Sequence, residues 1–93
     1  MPLVGVVIGS RSDESMIQDT LRVLEELGVS YEISVISAHR SPEKTRDYAR
    51  AVLGRGVQVL IAAAGGSAAL PGVLASWTTL PVIGVPLPSS ELN

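Results

Sequence analysis

A continuous apolar run near the start of the chain, Leu3 to Ile8, constrains the fold more than any other feature. A strand with one face in water alternates polar and apolar residues, whereas a strand covered on both faces of a parallel sheet is apolar throughout. Tyr31 to Ile36, Val57 to Ala63 and the shorter Val82 to Val85 are also rich in β-branched or small apolar residues. These runs predict four strands of one parallel sheet.

The segment between the first two strands has the spacing of a helix. Isoleucine and leucine recur there every three or four residues, which predicts a helix from about residue 14 to residue 27. Ser12 or Asp13 is available as its N-cap, and Gly28 follows its end. We therefore expect a strand–helix–strand crossover at the start of the chain.

Proline marks the starts of the two later helices. Ser41-Pro42 places an N-cap residue directly before a proline at the first helical position, and this helix is predicted to end near Gly54 or Gly56. A shorter apolar helix is predicted to follow Pro71 and to run toward Thr79.

The alternation of strands and helices predicts an α/β domain with right-handed crossovers. We expect a three-layer flavodoxin-like parallel sheet of order 2-1-3-4, with residues 1–93 in a single domain. The fourth strand is followed only by Pro86 to Asn93, so no later helix or strand covers that edge of the sheet. The domain is therefore expected to be truncated after strand four.

The composition argues against several classes of function. The net charge of −2 and the lack of a lysine or arginine block give no attraction to nucleic acid. With no cysteine and one histidine, neither thiol chemistry nor a metal site is expected. No apolar run approaches the roughly 20 residues that span a bilayer, so we expect a cytoplasmic protein without a membrane partner. Hydrophobic residues make up 46% of this short chain, and that excess predicts subunit contacts in a homo-oligomer.

Three loops are expected to meet where a fold of this kind binds ligands. In an open α/β sheet, the site lies beyond the carboxyl ends of the strands, where successive connections turn in opposite directions. Here that point lies between the first and third strands, beside the loops Gly9 to Asp13 and Ala64 to Ser67, with His39 and Arg40 alongside. The sequence therefore predicts one crevice lined by polar and glycine-rich loops.

The first loop has the residues of a phosphate and ribose site. Small hydroxyl side chains and free amides at a helix start suit a phosphomonoester. Asp13 would repel a phosphate and is better placed to accept hydrogen bonds from sugar hydroxyls. The simpler interpretation is that Ser12 and Asp13 only cap the helix, which is the usual role of an isolated serine-rich turn.

The other two loops also have two interpretations each. His39 titrates near neutrality and Arg40 carries a charged fork that suits phosphate; the alternative is a surface histidine beside a capping serine. Ala64 to Gly72 is a stretch of small residues whose amides suit a flat ring, a carboxylate or carbon dioxide, and the alternative there is a flexible turn.

Four ordered motifs together resemble the PurE family of purine-biosynthesis enzymes, which move a carboxyl group on an aminoimidazole ribonucleotide. They are spread along nearly the whole chain, from residue 9 to residue 86. In order they are Gly9-Ser10-Arg11-Ser12-Asp13, Ser37-Ala38-His39-Arg40-Ser41-Pro42, Ala64-Gly65-Gly66-Ser67-Ala68-Ala69-Leu70-Pro71-Gly72 and Leu80-Pro81-Val82-Ile83-Gly84-Val85-Pro86. The resemblance implies an octamer of flavodoxin-like subunits that acts on aminoimidazole ribonucleotide and carbon dioxide without a metal or other cofactor. It also implies that the family domain continues well past Asn93.

The resemblance assigns roles to residues of the first three motifs. It implies that His39 is the catalytic acid and base, that Ser10 and Arg40 bind the substrate phosphate, and that Asp13 binds the ribose hydroxyls. The other substrate-binding residues that it implies are Ser12, Ser37, Ala38, Ala64, Gly65, Gly66, Ser67 and Leu70.

The third motif bears on the class of reaction. One class of the family is N5-carboxyaminoimidazole ribonucleotide mutase, and the other is aminoimidazole ribonucleotide carboxylase, which uses carbon dioxide directly. Ala69 stands where the mutase pattern usually has histidine, and Ser67 is closer to the second class. Gly66 and Leu70-Pro71-Gly72 favour the mutase, which is our expectation. A non-catalytic fragment that binds a ribonucleotide or phosphate is a further alternative.

Overall fold

Four parallel strands form one sheet in the computed structural model of the chain, which describes residues 2–38, 40–65 and 69–88. The strands are β1 Val4–Ile8, β2 Tyr31–Val35, β3 Val59–Ala64 and β4 Val82–Pro86. They lie in the order β2-β1-β3-β4, and all three neighbouring pairs are parallel. The predicted α/β sheet of order 2-1-3-4 is confirmed.

Helices connect consecutive strands. A 3₁₀ helix, Arg11–Ile17, leads directly into α1, Gln18–Glu26, while α2 spans Pro42–Gly54 and α3 spans Ala69–Ala75. No helix in the described part of the chain is long and apolar enough to cross a bilayer.

Every residue of β1 is buried, because helices cover both faces of this strand. On one face, Val6 belongs to an apolar cluster that includes Leu21 of α1. On the other face, Val7 belongs to a cluster that includes Ala49 of α2 and Leu74 of α3. The first apolar run therefore has the doubly covered environment that its composition predicts.

The parallel register brings the carboxyl ends of the strands into one row. Ile8 lies beside Val35 of β2 and Ala63 of β3, and Ala63 lies beside Val85 of β4. The loops that leave these strands begin within two residues of that row. The sheet therefore delivers the loops to the same edge.

The first helix begins earlier than the sequence predicts. Helical structure starts at Arg11 instead of near residue 14, and the first part is a 3₁₀ helix. Ser10 is its N-cap, where the sequence predicts Ser12 or Asp13, because the extended backbone of Ser10 lets its Oγ accept the Ser12 N–H at 3.3 Å. At the other end, Gly28 follows the helix with a φ of 72°, which confirms its predicted place.

Helix α2 begins at Pro42 and ends at Gly54, which confirms both of its predicted bounds. Ser41 has the predicted N-cap position, but its side chain makes no capping hydrogen bond. Instead, Thr45 Oγ1 donates to the Ser41 carbonyl oxygen at 3.0 Å. After the helix, the Val57 N–H donates to the Val52 carbonyl at 3.3 Å and closes the turn, so β3 begins at Val59 and not at Val57.

The third helix is shifted toward the amino terminus of the chain. It spans Ala69–Ala75, whereas the sequence predicts a helix from Pro71 toward Thr79. Pro71 is accommodated in the first turn, where backbone N–H groups have no acceptor within the helix. The Ser76 hydroxyl donates to the Val73 carbonyl at 2.6 Å just beyond the end of the helix.

A side-chain cluster ties the edge strand β2 to α2. Glu32 of β2 accepts hydrogen bonds from the Tyr48 hydroxyl at 2.9 Å and from Arg55 Nη2 at 2.6 Å, both on the same carboxylate oxygen. Tyr48 passes across Gly5, where a Cβ would lie 2.5 Å from the tyrosine hydroxyl. Burial, reinforced by the hydrogen bond to Glu32, raises the pKa of Tyr48 above its ordinary value of 10.0.

Replacing Tyr48 with phenylalanine tests this cluster. We predict that Tyr48→Phe lowers the free energy of unfolding at pH 7 by about 1 kcal/mol, because the carboxylate of Glu32 loses one donor while Arg55 stays. Folded Tyr48 stays neutral above pH 10.0, where an unfolded tyrosine ionises, so the wild-type protein loses stability there and its advantage over Tyr48→Phe shrinks.

Urea unfolding at pH 7 and above pH 10 measures both effects. Tyr31→Phe is the matched control, because Tyr31 makes an exposed hydrogen bond of 2.6 Å to Glu25, and its effect at pH 7 should be smaller. A difference between wild type and Tyr48→Phe that stays constant through this pH range would contradict the role given to burial.

Candidate ligand-binding cleft

A cleft opens at the carboxyl ends of β1, β2 and β3. One compartment, which we call the inner compartment because segments after β1, β2 and β3 all line it, has a volume of about 220 Å³. The residues that line it come from all three predicted loops and are Gly9, Ser10, Asp13, Ser37, Ala38, Ala64, Gly65, Ala69 and Leu70. The described parts of the three loops therefore do meet, as the predicted strand order requires.

A second, outer compartment of about 570 Å³ shares part of this lining. Gly9, Ser10 and Ser37 border both compartments, so the two lie side by side at this edge of the sheet. The residues that line only the outer compartment are Arg11, Val35, Arg40 and Ser41. Among the described residues, the charged ones in the lining of the outer compartment are Arg11 and Arg40, whereas the charged one in the lining of the inner compartment is Asp13.

Ser10 organises the loop after β1. Its Oγ lies 2.9 Å from the Ser12 Oγ and accepts the Ser12 N–H, while its carbonyl oxygen accepts the Asp13 N–H at 3.0 Å. Ser12 lines neither compartment, so the structure places it beside Ser10 and not in the cleft wall. Asp13, in contrast, faces the inner compartment from the first turn of the 3₁₀ helix.

Ser37 organises the loop after β2. Its Oγ accepts the Arg40 N–H at 3.2 Å, and its carbonyl oxygen accepts the Ser41 N–H at 2.8 Å. These two bonds fix the backbone at Arg40, whose side chain lines the outer compartment. The candidate catalytic residue, His39, lies outside the described residues.

Small side chains and one leucine form the wall after β3. Ala64 and Gly65 continue directly from the strand, and Ala69 and Leu70 begin α3. Leu70 is buried in the same apolar cluster as Val7, which anchors this wall to the sheet. Two other predicted substrate-binding residues, Gly66 and Ser67, lie outside the described residues.

The sequence alone did not assign several residues of the cleft wall. Gly9, Val35 and Ser41 lie within two residues of an assigned residue, so their position in the cleft wall follows from the loop geometry. Ala69 departs from a family pattern and Arg11 belongs to the first motif, but the sequence assigns neither residue a role in binding. Within the described residues, no group of three or more histidine, cysteine, aspartate or glutamate side chains could hold a metal ion.

The sheet order defines an α/β domain of the flavodoxin-like class, and the cleft at its carboxyl edge is the candidate ligand-binding site. The family model for AIR carboxylase matches residues 3–93. The chain therefore belongs to the AIR carboxylase family, and the predicted resemblance to PurE is confirmed.

Proteins of established name are similar over nearly the whole chain. N5-carboxyaminoimidazole ribonucleotide mutase of Pyrococcus horikoshii is 55% identical over 92 residues, which are 99% of this chain and 52% of that protein. Phosphoribosylaminoimidazole carboxylase of Schizosaccharomyces pombe is 49% identical over 92 residues, which are 17% of that protein. The crystal structure of Treponema denticola PurE aligns with a TM-score of 0.89 at 28% identity, covering 99% of this chain and 59% of that one. The chain spans about half the length of the mutases it matches.

The hydrogen bond from the Arg40 N–H to Ser37 can be tested by binding. We predict that Ser37→Ala weakens the binding of the ligand expected from the sequence, aminoimidazole ribonucleotide, about fivefold, because losing a hydrogen bond worth about 1 kcal/mol loosens the backbone at Arg40. Isothermal titration calorimetry measures the dissociation constant. Ser76→Ala is the matched control, since it removes a hydroxyl hydrogen bond outside the cleft lining. Equal effects of the two substitutions would contradict the prediction.

Proposed function

We propose that the chain carries the substrate cleft of an N5-carboxyaminoimidazole ribonucleotide mutase, which moves a carboxyl group from N5 to C4 of the imidazole to give 4-carboxy-5-aminoimidazole ribonucleotide. The observation that carries this proposal is the meeting of three motif loops around one cleft, with a carboxylate in one compartment and arginines in the other. Relatives of that name are 50–55% identical over nearly the whole chain, which supports the same reaction.

The charges in the cleft suggest how the ribonucleotide lies. The phosphate occupies the outer compartment with Ser10 and Arg40, because a guanidinium pairs well with a phosphate dianion. The ribose hydroxyls donate to Asp13, which borders the inner compartment. The flat imidazole then lies against Gly65 and Leu70, where small and apolar groups allow close contact. Gly66 and Ser67, from the same motif, stay substrate-binding residues predicted from the sequence.

His39 supplies the proton transfers in this proposal. The N5–carboxylate bond of the substrate breaks and releases carbon dioxide into the cleft, and N5 takes a proton from His39. The ring amine then supplies electrons to C4, which forms a bond to the carbon dioxide, and His39 removes the C4 proton. One proton leaves His39 and one returns, so the reaction needs no external acid, base or cofactor. Holding carbon dioxide beside C4 lowers the entropic part of the barrier.

Replacing the proposed acid and base tests the mechanism. We predict that His39→Asn lowers kcat at least about 100-fold, because proton transfer by a positioned side chain contributes about that much or more. Binding of the ribonucleotide, measured by calorimetry, should change little, because Arg40 and Asp13 remain. Turnover of His39→Asn near the wild-type rate would rule out this role for His39.

The second candidate is an aminoimidazole ribonucleotide carboxylase that uses carbon dioxide directly. Two observations favour it: Ala69 lines the inner compartment where the mutase pattern usually has histidine, and a relative at 49% identity is named a carboxylase. The two reactions differ in the origin of the carboxyl carbon.

Isotopic labelling separates the two reactions. We predict that substrate labelled with ¹³C in the N5 carboxyl group gives product that keeps the label in the presence of unlabelled bicarbonate, because the carbon dioxide released from N5 is the molecule that C4 attacks. Mass spectrometry of the product measures the retained label. Complete loss of label, together with turnover of aminoimidazole ribonucleotide and bicarbonate, would instead support the carboxylase. Binding of the ribonucleotide without any turnover would support a non-catalytic fragment.

Self-association is part of the same proposal. Val6 of β1 forms a row across the sheet with Ile33 of β2 and with Ile61 and Ile83 on the other side. Val6, in the middle of the row, packs in the same apolar cluster as Leu21 of α1 and is completely buried. Ile33 and Ile83, at the two ends of the row, are 40% and 52% exposed. Such an uncovered apolar row favours contact with a second copy of the chain. The octameric number, the cytoplasmic location and the absence of a cofactor stay predictions from the sequence.

A further inference from the structure

Arg11 lines the outer compartment but has no role among the residues predicted to bind substrate. It comes from the start of the helix after β1, whereas Arg40 comes from the loop after β2, so two separate segments place an arginine in the lining of one compartment. The hydroxyl groups of Ser10, Ser37 and Ser41 belong to residues of the same lining. No carboxylate occurs among the described residues that line this compartment. The compartment therefore combines two fixed positive charges with small hydroxyl groups.

The ion pair between Arg11 and Glu14 is too weak to hold the Arg11 side chain in place. Arg11 Nη1 lies 3.8 Å from Glu14 Oε1, and both side chains are largely in water, at 86% and 45% exposure. Exposed pairs of this length contribute little free energy. Arg22, by comparison, lies 3.0 Å from Asp19 and also pairs with Glu26. Breaking this ion pair would therefore cost little free energy if Arg11 turned toward an anion bound in the cleft.

We propose that Arg11 is a second cationic contact for the 5′-phosphate of the substrate and selects the phosphorylated ribonucleotide over the free riboside. This inference rests on the proposed function, because it concerns the same cleft. A phosphomonoester carries a charge near −2 at neutral pH, and Arg40 alone balances half of it. Arg11 supplies the other positive charge from the first motif, whereas Arg40 belongs to the second motif.

The test compares two ligands in three forms of the purified protein. The ligands are 5-aminoimidazole ribonucleotide and its unphosphorylated riboside, and the proteins are wild type, Arg11→Gln and Arg22→Gln. We expect Arg11→Gln to raise the dissociation constant of the ribonucleotide about three- to fivefold at low ionic strength, the range for an exposed charge pair. The difference should narrow as salt is added, because salt screens exposed charges. Binding of the riboside should not change.

Arg22→Gln controls for net charge, since it removes the same charge from α1, away from the cleft lining. Equal weakening by Arg11→Gln and Arg22→Gln would overturn the inference, because the effect would then belong to the overall field. Equal weakening of ribonucleotide and riboside by Arg11→Gln, or no weakening at all, would overturn it as well. Failure of the wild-type protein to bind the ribonucleotide would instead remove the proposed function, so the two failures are distinguishable.

Discussion

The parallel pairing of β1 with strands on both sides is the constraint on which the rest of the structure depends. Because β1 runs alongside β2 and β3 in matched register, the chain leaves all three strands at the same edge of the sheet. Burial of β1 on both faces stabilises the sheet. The register of β1 with its neighbours fixes where the loops lie, because a shift of one residue would displace the loops relative to one another. The cleft is thus a consequence of the core, and the loop residues only decide what the cleft can bind.

Much of the fold could be predicted because its main signals are local. Apolar runs of four to seven residues indicated the strands, and Gly28 indicated the end of α1. The alternation of strands and helices indicated a doubly wound α/β sheet, and the order 2-1-3-4 was the arrangement chosen among sheets of that kind. The start of the first helix was predicted less well. Several residues in a serine-rich turn can act as the N-cap, and only the backbone conformation of Ser10 decides between them. The bonds of Glu32 to Tyr48 and Arg55 join residues 16 and 23 positions apart, and no local pattern indicates them.

The candidate site was predictable as a set of loops but not as a shape. The expected meeting of Ser10, Asp13, Ser37 and Leu70 follows from strand order, and the structure brings them together. The division of the cleft into a compartment with Asp13 and a compartment with two arginines depends on side-chain directions, which the sequence does not specify. For the same reason Ser12, a predicted binding residue, contacts Ser10 instead of lining the cleft, while Arg11 lines it.

A crystal structure of the protein with 5-aminoimidazole ribonucleotide bound tests the central claim most directly, namely that loops from three strands form one site for one ribonucleotide. The account predicts a phosphate in contact with Arg40, ribose hydroxyls within hydrogen-bond distance of Asp13, and an imidazole ring against Gly65 and Leu70. A ribonucleotide bound away from the carboxyl edge of the sheet, or bound there with its phosphate beside Asp13, would contradict it.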